Sequence, residues 1–137
     1  KKFKKMGRVF FNTRDNVHAI TGAYTVLPSD SGKVFTVSQA AAYTITLPTT
    51  DVEGFNVKFI CTAIDSNDVK IDGGASNAIK GWASDITTAI NAVDNNMVKF
   101  VSGAAAVGDV IMLHNDGTSY LCEAHNGGTN GILGANS

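Results

Sequence analysis

The feature that most constrains the fold is a series of short segments in which apolar and polar residues alternate. The clearest lies at residues 43–47, where two threonines separate Tyr43, Ile45 and Leu47. Pro48 ends this segment because it has no backbone N–H to donate to a neighbouring strand. A period of two places successive side chains on opposite faces of a strand, so the segment predicts a half-buried β-strand.

Similar segments recur along the chain and are separated by turn residues. We predict strands at residues 24–27, 33–38, 43–47, 55–63, 69–71, 97–101, 109–114 and 119–125. Valine, isoleucine and threonine number 13, 10 and 13 against 5 leucines, which favours strands because β-branched side chains suit a pleated sheet. The predicted fold class is all-β: a single antiparallel β-sandwich or barrel of about eight short strands.

The inward faces and one hairpin follow from the same patterns. We expect Phe35 and Val37 to share a face of their strand, and Phe55, Val57, Phe59 and Cys61 to point inward from the longest one. Asp116-Gly117 between two apolar runs predicts a hairpin.

Two segments in the middle of the chain are less regular. Residues 78–82 suit a strand that Gly81 bends. Residues 84–93 are compatible with a short capped helix or a strand, and a loop with little regular structure is the preferred interpretation.

The charge distribution sets the N-terminus apart. Residues 1–14 hold 6 of the 11 basic residues and no acid, whereas the remaining 123 residues hold 5 lysines and all 12 acids, a net charge of −7. We predict an extended basic arm at 1–22, a β-sandwich or barrel body at 23–125 and a flexible tail at 126–137, in which Ile132 and Leu133 are a possible anchor.

The arm is the predicted partner-binding site. Its basic and apolar residues are Lys1, Lys2, Phe3, Lys4, Lys5, Arg8, Val9, Phe10, Phe11 and Arg14. A frayed tail is the alternative interpretation, but adjacent phenylalanines are unusual in disordered tails. Nucleic acid is not the predicted partner, because the acidic body would be repelled. An acidic protein surface, including another copy of the body, fits the charges better.

No motif predicts catalysis, a cofactor or a metal site. His18, His114 and His125 lack a metal-ligand spacing, and the aspartates cluster at turns, where their side chains bond the local backbone. Cys61 and Cys122 fall on inward faces as small buried thiols, with a disulfide between them as the alternative. The apolar runs are too short for a membrane helix, and the basic N-terminus lacks the apolar region of a secretory signal.

The strand and turn motifs resemble small β-rich virion proteins of tailed phages. The residues concerned are T-I-T-L-P at 44–48, G-F-N-V-K-F-I-C-T at 54–62 and G-D-V-I-M-L-H-N-D-G-T-S-Y at 108–120. Within that group the chain is most similar to capsid decoration, or cement, proteins, and related modules occur in tail fibres. The resemblance spans roughly residues 22–125, excludes the arm and carries no catalytic residues.

The resemblance implies a structural protein on the capsid surface of a virion, not an enzyme. Its expected partners are the major capsid protein and other copies of itself, most naturally as a homotrimer, without nucleic acid or membrane. The alternative is a host-recognition module of a tail fibre or tailspike that binds glycans through exposed Asn, Thr and Trp82 on loops. Copy number in purified particles distinguishes the two.

Overall fold

The computed structural model describes residues 16–75, 78–85 and 91–135. Strands dominate, as the sequence predicts, and one turn of 3-10 helix at Pro28–Asp30 connects the second and third strands. The strands are β1 (Val17–Ile20), β2 (Tyr24–Thr25), β3 (Val34–Ser38), β4 (Tyr43–Thr46), β5 (Asn56–Ala63), β6 (Val69–Asp72), β7 (Ile79–Asp85), β8 (Asn91–Asn95), β9 (Met97–Phe100), β10 (Val110–Asn115), β11 (Tyr120–Asn126) and β12 (Ile132–Ala135). The all-β class is confirmed.

The strands form two sheets around one apolar core. The seven-stranded sheet has the order β1-β3-β5-β10-β11-β7-β8, and the five-stranded sheet has the order β12-β9-β6-β4-β2. Among the described residues, one cluster of buried side chains draws on both sheets, including Phe35, Phe59 and Leu113 from the first and Ile45 and Phe100 from the second. The architecture is therefore a β-sandwich with a shared core.

The prediction of purely antiparallel pairing is wrong. The first six strands alternate between the two sheets, and pairing is parallel throughout β1-β3-β5 and β2-β4-β6. Each turn in this half carries the chain across to the opposite sheet, so two successive turns bring it back beside an earlier strand in the same direction. The described residues form twelve strands instead of about eight. Strands β1, β8 and β12 were not predicted, and β7 was expected only as a segment that suits a strand.

The predicted division into arm, body and tail does not match the sheets. Strand β1 lies inside the predicted arm and pairs with β3, and strand β12 lies inside the predicted flexible tail and pairs with β9. Ile132 is fully buried, which confirms it as an anchor. Residues 84–85 belong to β7 and residues 91–93 to β8, so the loop preferred for residues 84–93 is wrong at those positions. Residues 86–90 lie outside the described residues.

Most predicted inward faces are confirmed. Tyr43, Ile45 and Leu47 are buried, and so are Phe55, Val57, Phe59 and Cys61 on the longest strand. The predicted hairpin is β10–β11, and Gly117 at its turn has a φ of 90°, a conformation that glycine adopts without strain. Local alternation thus located the buried positions correctly even where the expected direction of pairing was wrong.

Candidate functional site

The predicted arm site cannot be placed within the fold. Its members, Lys1, Lys2, Phe3, Lys4, Lys5, Arg8, Val9, Phe10, Phe11 and Arg14, lie outside the described residues. The described chain begins at Asn16 and enters β1 at once. The basic residues of the arm therefore lie, in sequence, just before a strand of the seven-stranded sheet.

Strand β1 is an edge strand that pairs, among the described residues, only with β3. Val17, His18 and Ala19 are exposed, whereas Ile20 is buried in the core. The His18 ring lies with its centroid 5.2 Å from that of Tyr24 and 5.8 Å from that of Phe35. The segment that follows the arm is thus anchored by Ile20 while most of its side chains remain accessible.

A second candidate site lies on the outward face of β7 and β11, which pair in parallel. The register aligns Trp82 with Glu123, and Ser84 with His125. Paired residues in a parallel ladder project from the same face, and so do residues two apart on one strand. The four side chains therefore form one surface, which we call the Trp82 face. Trp82 is 57% exposed although it lies in the middle of a paired strand.

The polar members of the Trp82 face form a chain of hydrogen bonds. The Ser84 Oγ lies 3.1 Å from His125 Nδ1, and His125 Nε2 lies 3.1 Å from Glu123 Oε1. In neutral His125, Nε2–H donates to the carboxylate and Nδ1 accepts from the hydroxyl. In protonated His125, Nδ1–H donates to Ser84 Oγ, which then donates to the Ala124 carbonyl 3.3 Å away. The chain is satisfied in both states.

Gly81 determines how closely the two strands of this face approach. Its φ is +141°, and an added Cβ would lie 2.0 Å from the carbonyl oxygen of Cys122. Every other residue has a Cβ, so only glycine fits this position without displacing backbone. The sequence indicated a bend at Gly81 but not the contact, which requires β11 as a neighbour. The side chain of the next residue, Trp82, projects from the outward face.

The Trp82 face borders a shallow cavity of about 410 Å³ lined by its four side chains together with Cys122 and Ala124. Cys122 itself points into the core, and burial raises the pKa of its thiol to about 12. A thiol with so high a pKa is protonated at neutral pH and is a poor nucleophile. The predicted separation of Cys122 from His125 is confirmed, since the first is buried and the second exposed.

The order Ser84–His125–Glu123 has the residue types of a nucleophile, a base and an orienting carboxylate. Two features argue against that use. The His125 and Glu123 side chains are 58% and 68% exposed, so solvent weakens their mutual interaction. Ser84 also lies within the paired part of β7, and not on a turn that aims backbone N–H groups at a substrate. The arrangement is better suited to holding polar groups in place than to acyl transfer.

The structure also places the other histidine and cysteine candidates from the sequence. His114 pairs with Leu121 and His125 with Val110, so the two histidines lie at opposite ends of the hairpin. Cys61 and Cys122 are free and buried, which confirms the thiol interpretation over the disulfide. Within residues 16–75, 78–85 and 91–135, no group of three or more His, Cys, Asp or Glu side chains is arranged to hold a metal ion.

The turn aspartate Asp68 is an ion-pair partner. Its carboxylate accepts from Lys99 Nζ at 2.8 Å and from the Ser102 N–H at 2.8 Å. The Lys99 hydrogen bond, followed by that of Ser102, holds the pKa of Asp68 below its usual value. The Asp68 carboxylate thus links the start of β6 to the end of β9.

Comparison with known proteins finds no matching family, curated protein or solved structure. In the part of the chain that the structure describes, no helix is long and apolar enough to cross a membrane.

Sequence reasoning named Trp82 but missed its polar neighbours. Ser84 and His125 are 41 positions apart, and they meet only because β7 and β11 pair in parallel. The alternation of exposed and buried residues along β11 was readable, and it places Glu123 and His125 together on the outward face. Nothing local in the sequence indicated which strand lies beside them.

Proposed function

We propose that this protein is a virion decoration protein that binds the outside of a phage capsid through its basic N-terminal arm and stabilises the shell. The observation that carries the proposal is the junction between the arm and the fold. A segment with six basic residues in 14 leads directly into edge strand β1 of a body with the opposite net charge. Opposite charges steer association with an acidic surface, and an edge strand can accept a further strand.

The junction is suited to transmitting a mechanical force from the arm to the body. Ile20 is only 3% exposed, and the Tyr43 hydroxyl donates to its carbonyl oxygen at 3.0 Å. A force applied to the arm is therefore transmitted to β1, its ladder with β3 and the core. Phe10 and Phe11 serve as apolar anchors in the partner surface and the lysines as its charged rim.

The expected partners are the major capsid protein and other copies of this chain. Junctions between shell subunits offer threefold positions, and a homotrimer matches that symmetry. Sedimentation velocity checks the oligomeric state in solution. Counting copies per purified particle distinguishes a shell protein, with hundreds of copies, from a tail component, with a few dozen or fewer.

The test compares the full chain with a variant that lacks residues 1–14. Both are mixed with purified empty heads of the same phage, and bound protein is measured by co-sedimentation. We expect the truncated chain to lose binding while its far-UV circular dichroism and unfolding midpoint stay unchanged. Full binding by the truncated chain overturns the proposal.

Two matched variants separate charge from apolar anchoring. Replacing Lys1, Lys2, Lys4 and Lys5 by glutamine is expected to weaken binding most at low salt, because screening already reduces the charge effect at high salt. Replacing Phe10 and Phe11 by serine is expected to weaken binding at every salt concentration. Shell stability against heat, with and without bound protein, measures the cementing effect.

The second candidate function is host recognition by a tail fibre or tailspike. The observation that favours it is the exposure of Trp82 beside fixed polar groups. Trp82 lies on strand β7, as the strand expected at residues 78–82 predicted, and not on a loop as the glycan-binding alternative assumed.

A further inference from the structure

The Trp82 face lies on strands β7 and β11, which are far from strand β1 in the order of the seven-stranded sheet. Trp82 is the single tryptophan of the chain, and more than half of its surface is exposed on a rigid strand. One exposed apolar side chain needs no special explanation. Here, however, the indole borders a cavity whose other side chains include a carboxylate, an imidazole and a hydroxyl.

We propose that the Trp82 face is a saccharide-binding site for a neutral pyranose. One face of a pyranose ring presents C–H groups, and its rim presents hydroxyl groups. A flat indole with hydrogen-bonding groups at its side complements both. Trp82 supplies the platform for the ring, and Glu123, aligned with it on β11, accepts hydrogen bonds from sugar hydroxyls.

Hydrogen bonds orient the polar groups before a ligand arrives, and solvent exposure makes each of these bonds weak. His125 contacts Glu123 through one ring nitrogen and Ser84 through the other, both at 3.1 Å. The contact with Glu123 uses only Oε1, and the contact with Ser84 uses its hydroxyl. Glu123 Oε2 and a lone pair of Ser84 Oγ therefore remain to accept hydrogen bonds from a ligand. Fixing these side chains in advance lowers the entropy lost on binding.

The charge of the site selects among sugars. Glu123, aligned with Trp82, places a carboxylate directly beside the platform, whereas Lys80 lies two residues before Trp82 on the same outward face. A uronic or sialic acid seated on Trp82 would bring like charges together at Glu123. The cavity of about 410 Å³ suits one or two sugar rings, whereas a stable protein interface buries on the order of 1,000 Å² or more. We therefore expect a small neutral ligand and weak affinity for each copy, with avidity where many copies are displayed on one particle.

The test uses the intrinsic fluorescence of the full chain, which reports on this site because Trp82 is the sole tryptophan. The probes are methyl β-D-galactopyranoside, methyl α-D-glucopyranoside and N-acetylglucosamine, with glucuronate as the anionic comparison. We expect a saturable change in emission with at least one neutral sugar and a weaker response to glucuronate. Saturation-transfer NMR on the same mixtures gives a second readout that does not depend on tryptophan.

Variants locate the binding. Trp82→Ala is expected to weaken the NMR-measured affinity at least about tenfold, the effect of losing an aromatic stacking contact. Glu123→Gln keeps the shape but removes the charge and is expected to weaken binding by about fivefold. Val107→Ala is the matched control, because Val107 is an exposed apolar side chain outside the Trp82 face. Circular dichroism confirms that each variant is folded.

Three results overturn the proposal: no saturable response to any of the neutral sugars in either readout, unchanged binding by Trp82→Ala, or tighter binding of glucuronate than of the neutral sugars. The shell-binding proposal fails or survives separately. It depends on residues 1–14, and deleting them is expected to leave sugar binding unchanged.

Discussion

The two halves of the chain build the same sandwich in different ways. Strands β1–β6 cross from one sheet to the other at every turn and pair in parallel. In β7–β12, antiparallel neighbours dominate, and the hairpin β10–β11 inserts between β5 and β7. We call these the crossing half and the hairpin half.

The difference lies in the turns, because the strand patterns are alike. Asp116 Oδ1 accepts from the N–H groups of Thr118 and Ser119 at 2.9 and 2.7 Å, which closes a tight turn that returns the chain within one sheet. The connection between β2 and β3 is longer and contains a 3-10 turn, and it carries the chain to the other sheet. A period of two in the strands is compatible with either outcome, so turn geometry decides the pairing.

Parallel pairing in the crossing half also places aromatic residues beside one another. His18 pairs with Phe35 and Phe35 with Phe59, so three rings follow one another across the sheet. The Phe35 and Phe59 rings are stacked with centroids 5.3 Å apart. The crossing half thus concentrates aromatic packing in its core, whereas the hairpin half leaves an aromatic ring, Trp82, on its surface.

The largest expected effect tests this aromatic core. Phe35→Ala and Phe59→Ala each remove a fully buried ring and are expected to lower the free energy of unfolding by about 4 kcal/mol. Because the rings stack, the double variant should show a coupling of about 1 kcal/mol in urea denaturation. Additive effects would mean that the alignment contributes nothing beyond burial. The exposed Val107→Ala should change stability by less than about 0.5 kcal/mol.

The next effect tests the parallel contact in the hairpin half. Gly81→Ala forces a Cβ against the Cys122 carbonyl oxygen and is expected to cost about 3 kcal/mol, measured by thermal unfolding. Gly22→Ala in the crossing half is the matched control, since a Cβ there meets nothing within 4 Å. An unchanged midpoint for Gly81→Ala would contradict the close approach of β7 to β11.

The smallest effect tests the crossing turn before β3. Asp30 is buried, and its carboxylate accepts from Lys33 Nζ at 2.6 Å and from the Leu27 N–H at 2.9 Å. Burial alone would raise the pKa of Asp30, but these hydrogen bonds outweigh it and hold the pKa below its usual value. Asp30→Asn is therefore expected to cost about 1.5 kcal/mol at pH 7.

The lowered pKa of Asp30 also predicts how the stability difference between the native chain and Asp30→Asn changes with pH. A carboxyl whose folded pKa is depressed contributes stability above its unfolded pKa of about 3.9, and that contribution is lost as pH falls through the folded value. The gap between the native chain and Asp30→Asn should persist from pH 7 to 5 and shrink below about pH 4. A constant gap down to pH 2 would show that the charge is not the cause. Glu53→Gln, at an exposed loop position, serves as the control.

Much of the fold could be predicted from the sequence because its signals are local. Alternation located eight of the strands and most of their buried faces, and Asp116-Gly117 identified the hairpin. The signals failed at short strands such as β1 and β12, where four residues carry too little pattern. They also failed at residues 84–85 and 91–93, which belong to a stretch where isoleucine, threonine and alanine suit several structures.

The sequence alone determined that the chain is all-β, which residues face the core and where its charge is concentrated, since these depend on neighbours along the chain. Only the tertiary structure decided which strands pair, because pairing joins residues far apart and depends on the direction that each turn takes. The same reason applies to the candidate site. Trp82 could be singled out from the sequence. Its alignment with Glu123, and the alignment of Ser84 with His125, depend on the parallel pairing of β7 with β11.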